Sequence, residues 1–340
     1  MGDWSHCVAN LKDEADIVVV GSCLVEFITY VQTLPKPEET VKGYHFEQRF
    51  SGKGANQCVA AAKLRASVAL ISKLGNDKFG KSYLEELRKY NSINTKYIWL
   101  LQDVTTGVCS KVISNKGTHQ TNIIPGANTY LSASDIDAAK NLLLKAKVIM
   151  FQGETPWETT LYCLSKLHVS LESRAKIIVN PSPAVYPLNP IVMILADIIC
   201  INEQEAEIIT DMKINNEEDL ADCMEKLLDM KCNTVIITLG GSGVVYATRD
   251  NPRLKTITVD HVEYPIESEG VGDCFVGALA YYLCYFPQLP LGEMILRSCH
   301  VARQSLFNVG LQNSFPDKET LPDNLFSPKC ELNTSNLLDI

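Results

Sequence analysis

The chain has 340 residues, 46 % hydrophobic and 21 % charged, which is enough apolar material for a sizeable core and too hydrophobic for a mainly disordered chain. Lys and Arg total 31 against 40 Asp and Glu, a net charge of −9 with no basic run, so no nucleic-acid partner is expected. The longest apolar run, residues 275–286, is shorter than the about 18 residues of a membrane helix, and the acidic N-terminus lacks an apolar signal core, so the expectation is a soluble intracellular protein with no membrane partner.

In chain order, residues 16–22 (D-I-V-V-V-G-S) read as a short buried strand ending in a turn. Residues 25–50 mix alternating patterns with Pro35 and Pro37 and read as short strands and loops. A helix of small residues is expected over 54–64, a strand over 68–72 and an amphipathic helix over 79–90. Residues 106–124 alternate again and read as a hairpin. Strands then follow at 147–152, 176–180, 197–201, 234–239 and 244–248. Helices are expected at 134–145, 156–169, 203–210, 216–230, 272–286 and 291–307. Continuous apolar strands between helices predict an α/β fold, with a predominantly parallel sheet covered by helices on both faces. The two β-rich inserts, about 25–50 and 105–125, would pair as a small β-sheet lid. One domain over 16–326 is expected, with 1–15 and 327–340 as flexible tails.

The twelve cysteines contain no C-x-x-C pair, and several, such as Cys200 and Cys284, sit in apolar runs. They read as reduced, buried thiols in a reducing compartment.

Four polar motifs stand at the ends of these elements. Gly52-Lys53-Gly54-Ala55-Asn56 opens a helix, where glycines admit a ligand close to the backbone and Asn56 could bond sugar hydroxyls. An ordinary loop reads the same way, and the Walker pattern is absent. Thr238-Leu239-Gly240-Gly241-Ser242-Gly243 follows a strand and is either a phosphate cradle or a tight turn between strands. Gly270-Val271-Gly272-Asp273 opens a helix apolar nearly all round. Its backbone N–H groups form a nest for phosphoryl charge, and Asp273 is either a catalytic base facing that charge or a helix cap. Asn202 and Glu205, after a strand, suit hydrated Mg²⁺ or a helix cap. The six histidines are scattered, without metal-ligand spacing.

Taken together, these motifs resemble the ribokinase (PfkB-type carbohydrate kinase) family over residues 16–326, most closely its eukaryotic ribokinases. The resemblance rests on G-S-C-L-V-E (21–26), G-K-G-A-N-Q (52–57), L-G-N-D-K-F-G (74–80), P-G-A-N (125–128), Q-G-E-T-P (152–156), N-P-S-P-A (180–184), N-E-Q-E-A-E (202–207), T-L-G-G-S-G (238–243), G-V-G-D (270–273) and G-L-Q-N-S-F-P (310–316). It implies a lidded α/β kinase, dimeric through its lids, that moves the γ-phosphate of ATP to O5 of D-ribose. Asp273 would be the base, and the N–H groups of Gly270, Val271 and Gly272 the anion hole. Leu24, Val25, Glu26, Gly52, Lys53, Gly54, Ala55, Asn56 and Glu154 would hold the sugar. Asn202, Thr238–Gly243, Gly272 and Cys299 would hold ATP, and Glu205 would support Mg²⁺ through water. A monovalent cation, usually K⁺, would involve Glu267, Glu269, Ser305, Asn308, Gly310 and Ser314, partly through backbone oxygens. The resemblance also implies residence in the cytoplasm, with the nucleus left open.

The chain departs from the family pattern D-T-T-G-A-G-D, reading Glu267-Ser268-Glu269-Gly270-Val271-Gly272-Asp273. A carboxylate about 5 Å from phosphate charge, at an effective dielectric near 20, costs about 3 kcal/mol. That penalty vanishes if Glu269 points away or faces the monovalent cation. From sequence alone, Glu269→Thr is therefore expected to raise activity or restore K⁺ stimulation. Glu26 likewise stands for an aspartate, Leu24 for an asparagine, Ser51 for a glycine, and Cys299 for a residue that is often asparagine.

Overall fold

In the computed structural model, which describes residues 14–170, 173–260, 262–329 and 337–339, the β-branched runs form the centre of one large sheet. The first half contains β1 (Ile17–Val20), β2 (Leu24–Val31), β3 (Gly43–Ser51), α1 (Lys53–Lys63), β4 (Val68–Gly75), α2 (Lys78–Arg88), β5 (Ile93–Asn94), β6 (Ile98–Leu101), β7 (Gly107–Ser114), β8 (His119–Ile124), α3 (Ala133–Ala138), α4 (Lys140–Lys145) and β9 (Val148–Gln152). The second contains α5 (Trp157–Val169), β10 (Lys176–Asn180), α6 (Pro190–Leu195), β11 (Ile198–Asn202), α7 (Glu203–Thr210), α8 (Glu217–Asp229), β12 (Thr234–Thr238), β13 (Val244–Thr248), β14 (Asn251–Ile257), α9 (Val271–Tyr285), α10 (Leu291–Ser305) and β15 (Leu337–Asp339).

The sheet order is β15-β14-β13-β12-β11-β10-β9-β1-β4-β5, with β6 also on β4. From β5 to β12 neighbouring strands are parallel. Beyond β12 the pairs are antiparallel, because the short turn after Thr238 can only return the chain alongside itself. Side chains alternate across a strand, so a strand apolar at every position must be covered on both faces. In β1, Ile17 and Val19 enter a core with α1, α9 and α10, while Val18 and Val20 enter a second core with α4, α5 and α8.

The two inserts form the lid, a four-stranded sheet in the order β3-β2-β7-β8. Residues 25–50 are more regular than short strands and loops: β2 and β3 are long and antiparallel, with Leu24 opposite Ser51, and both prolines lie in their connection. The helix expected over 134–145 is two helices, meeting at Ala139 so that Ile136, Leu142 and Leu143 all reach the core. Helix α6 was not expected. Its signal was Asn189-Pro190, with proline in the first turn and the Asn189 side chain accepting from Ile191 N–H. The C-terminal tail also departs from expectation. Buried Arg297 donates to the carbonyls of Leu325, Ser327 and Lys329, and the backbone of β15 extends the sheet. Residues 1–13 lie outside the described residues.

All ten described cysteines are free and buried. Among the described residues no helix is long and apolar enough to cross a membrane.

Candidate active site

The polar motifs meet at the carboxyl ends of the parallel strands, where open α/β sheets bind ligands. Register brings them level: Gln152 lies beside Asn180, and Asn202 beside Thr238. Two helix N-termini close on this edge from one face. Helix α1 starts against the β1–β2 turn so tightly that a Cβ on Gly54 would lie 2.5 Å from the Ser22 nitrogen. Helix α9 starts at Gly270, whose φ of 77° is the left-handed region that suits glycine. The first intrahelical bond of α9 is Cys274 N–H to Gly270 C=O, so the N–H groups before it point outward without helical partners. A Cβ on Gly272 would meet nothing within 4 Å, which leaves open space above this nest.

Asp273 lies in the first turn of α9, only 7 % exposed. Asn56 Nδ2 donates to its Oδ2 at 2.9 Å, and Gln57 Nε2 donates to its Oδ1 at 3.0 Å. Both amides are themselves held. Gln312 donates to Asn56 Oδ1 at 2.9 Å, and Gln152 donates to Gln57 Oε1 at 2.7 Å. Asn180, in turn, accepts from Gln57 and donates to the Cys200 carbonyl. This relay orients one carboxylate from β9, β10, α1 and the 310–316 segment. Gln57, Gln152, Asn180 and Gln312 all lie in the motifs quoted above. Their role was not assigned from sequence because amides carry no charge signature.

On the lid side, Glu154 accepts from the Ser22 hydroxyl and from Lys53 N–H, the latter at 2.8 Å. Burial pushes its carboxyl above the usual range, against the pull of the Lys53 ammonium. Burial acts against the Lys53 charge, but the carboxylates of Asp273 and Glu154 more than offset it and hold the ammonium above its ordinary value. Glu26 is 1 % exposed on the inner face of β2, within reach of Lys111 on β7. Val25 and Ala55 do not line this pocket with their side chains. Both are fully buried in the first core, Val25 because side chains alternate along β2 and Glu26 takes the other face.

The two divergent glutamates face cations of the lid. Arg49 of β3 pairs with Glu267 at 2.9 Å, and Lys111 is hydrogen-bonded to Glu269. Burial opposes the Lys111 charge, but the Glu269 and Glu26 carboxylates raise its pKa overall. The charge of Glu269 is therefore met by a lysine of the lid, a partner that was not expected from the sequence. The same pairing takes both carboxylates away from a monovalent cation, so their side chains do not fit that role. Ser305 and Ser314 hydroxyls donate to the Ala302 and Leu311 carbonyls, and Asn308 Nδ2 donates to the Gln304 and Ser314 carbonyls. Together with Gly310, these residues offer main-chain oxygens from the end of α10 and the segment that follows it.

A cleft of about 560 Å³ opens on the other side of the nest, within the usual range for small-ligand sites. Asn202, Thr238, Gly240, Gly241, Gly243, Gly272 and Cys299 line it, with Val244, Phe275 and Ala302 as apolar walls. Leu239 and Ser242, expected here, do not line it. Leu239 packs on the second core, and Ser242 is exposed at the tip of the turn. Burial pushes the Cys299 thiol up to about 12, so it is a neutral wall. The helix-cap reading of Asn202 and Glu205 is what the structure shows. They form a reciprocal cap on α7, at 2.8 and 2.9 Å. They also line a cavity of about 190 Å³ shared with Lys53, Asp273 and Gly272, which adjoins the large cleft through Asn202, Thr238 and Gly272. Carboxylate, amide and hydroxyl oxygens around phosphate-sized space fit a hydrated Mg²⁺.

The pfkB family carbohydrate kinase profile matches residues 14–318. The chain belongs to the pfkB family of carbohydrate kinases. Among curated relatives of this pfkB kinase, mouse ribokinase is 39 % identical over 315 residues, 93 % of this chain and 96 % of that protein. Salmonella typhi deoxyribokinase is 32 % identical, over 89 % of this chain and 96 % of that one. The Arabidopsis thaliana ribokinase solved with ribose and ATP shares the fold, with a TM-score of 0.81 at 21 % identity, covering 94 % of this chain and all of that one. The expected α/β sheet with its small lid is the fold of this pfkB kinase.

Proposed function

We propose that the chain is a ribokinase, transferring the γ-phosphoryl group of ATP to O5 of D-ribose. The observation that carries this reading is Asp273, held by two amides beside the N–H nest and in the cavity that adjoins the large cleft. The sugar would lie among Glu26, Glu154, Lys53 and Asn56, with Leu24 as an apolar wall. The carboxylate of Asp273 takes the proton of the attacking hydroxyl, and the N–H groups at Gly270, Val271 and Gly272 receive the charge of the moving phosphoryl group. Lys53 brings a positive charge to the same cavity. Bound Mg²⁺, near Glu205 and Asn202, would neutralise phosphate charge; positioning by the chain supplies the rest. A monovalent cation would be held by main-chain oxygens around Ser305, Asn308, Gly310 and Ser314.

Dimerisation through the lid is part of this reading. Tyr44 and Phe46 on β3, and Ile123 and Ile124 on β8, are exposed on the two edge strands of the lid, where an uncovered edge invites pairing. Residence in the cytoplasm fits free, buried cysteines.

The deciding experiment is ADP release with Mg-ATP, with and without D-ribose, 2-deoxy-D-ribose and adenosine. Ribose-dependent release with a 5-phosphate product supports the proposal. A marked preference for 2-deoxy-D-ribose would favour the second reading, a deoxyribose kinase, for which the apolar Leu24 and the deoxyribokinase relatives speak. Ligand binding without any turnover would point to a non-catalytic binding protein.

A further inference from the structure

Lys111 belongs to none of the motifs that define the site, yet it is among the most buried charged side chains of the lid, 7 % exposed. A lone buried ammonium is costly, and burying it near phosphate chemistry calls for a reason. Register supplies the setting. Glu26 on β2 lies beside Cys109 on β7 and opposite Arg49 on β3, so these three side chains share one face of the lid. Lys111, two residues after Cys109, projects from the same face. Its ammonium lies 2.8 Å from Glu26 Oε1 and is also hydrogen-bonded to Glu269 Oε1. Glu269 immediately precedes Gly270, the start of the nest.

The electrostatic inventory is one ammonium between a buried carboxylate, Glu26, and a part-exposed one, Glu269. Glu26 Oε1 receives both Lys111 and, at 3.5 Å, the Cys109 thiol. Glu26 Oε2 is buried with no hydrogen-bond partner, and such an orphan acceptor calls for a donor. A sugar hydroxyl has that chemistry. The same loop is gripped a second time by Arg49 on Glu267, and Glu269 N–H donates to Glu267 Oε1 at 3.3 Å.

We propose that Lys111 is a positioning residue that joins the sugar-side carboxylate Glu26 to Glu269 at the edge of the phosphoryl nest. One internal ammonium thereby fixes the acceptor for the sugar and cancels the carboxylate that would repel the phosphates. The lid and the charge balance at the nest are thereby joined through one side chain. The inference rests on the ribose-kinase reading for the identity of the hydroxyl, and on the ion pairs alone for the coupling.

The test is a double-mutant cycle on full-length protein, with kcat and KM for D-ribose, KM for ATP and melting temperature for each variant. Lys111→Met strands buried Glu26 and leaves part-exposed Glu269 without its cation, and is expected to lower kcat/KM for ribose on the order of 100-fold. In a Glu269→Gln background the same change is expected to cost about tenfold or less, since only Glu26 is then stranded. Lys111→Arg, which keeps the charge, is expected to recover most of the loss. Lys111→Gln serves if the methionine variant does not fold. A Lys111→Met penalty of equal size with and without Glu269, tracking melting temperature, would show a merely structural lysine and overturn the inference. Failure of the wild type to turn over ribose overturns the ribose reading instead. The two failures are distinguishable, because the cycle is read only against an active parent.

Discussion

Replacing Asp273 by Asn changes one oxygen to an amide and leaves the shape of α9 intact. In the native site both carboxylate oxygens accept from side-chain amides, Asn56 at 2.9 Å and Gln57 at 3.0 Å. The introduced amide can accept only one of them, and its own NH₂ must face the other donor. One charge-assisted hydrogen bond is lost, worth about 1.5–3 kcal/mol. Relief from burying a charge in a site only 7 % exposed offsets part of this, so stability should change little. Turnover should not be spared. Losing a general base removes about 10²–10⁴ in kcat, or roughly 3–5 kcal/mol of barrier. ATP affinity should hold, because Asp273 does not line the large cleft. Ribose-dependent ADP release gives kcat, and calorimetric titration with ATP gives the affinity. A variant that keeps kcat within about tenfold of wild type would refute the assignment of Asp273 as base.

Glu267→Gln is expected to leave the K⁺ and Na⁺ dependence of turnover unchanged, because Glu267 is committed to Arg49; a selective loss of K⁺ stimulation in this variant would contradict that pairing. Arg297→Met removes the guanidinium that buried Glu293 and three carbonyls share, and should destabilise the fold by about 3–5 kcal/mol in urea unfolding. Asp77 caps α2 through Gly80 N–H and holds Thr106 at the entry to the lid. Partial burial pushes its carboxyl up, but the bonds from Thr106 and Gly80 win and hold it below its usual 3.8. Its stabilisation is therefore present above pH 3.8 and lost as pH falls through the lower folded value. Asp77→Ala should cost about 1–2 kcal/mol at pH 7, a difference that shrinks on acidification; a pH-independent difference would count against the cap.

Much of this arrangement was legible in the residues. β-branched runs that are apolar at every position must be covered on both faces, so the parallel sheet followed from period alone. Glycines before helix starts at 52–54 and 270–272 marked where backbone N–H groups would be bare. Asp273, directly after the second pair, was conspicuous as a carboxylate in an apolar helix. The amides around it were not, because hydrogen bonds between Gln57, Asn180 and Gln152 join strands and helices far apart in the chain. The effect of Glu269 takes the opposite sign once its partner is known. As an isolated carboxylate it repels phosphate, and threonine in its place looks beneficial. With Lys111 facing it, the same substitution leaves a buried ammonium with Glu26 alone, and loss of activity is the expected result.

The sequence by itself determined the fold class, the family, the candidate catalytic carboxylate and the edge of the sheet where ligands belong. These depend on local periodicity, on glycine conformation and on motifs of a few consecutive residues. Only the tertiary structure decided which charges meet. Lys111 and Glu269 are 158 positions apart, and Arg49 and Glu267 are 218 apart. Electrostatic pairing depends on distance through space and on exclusion of water, and neither exists until the lid folds over the nest.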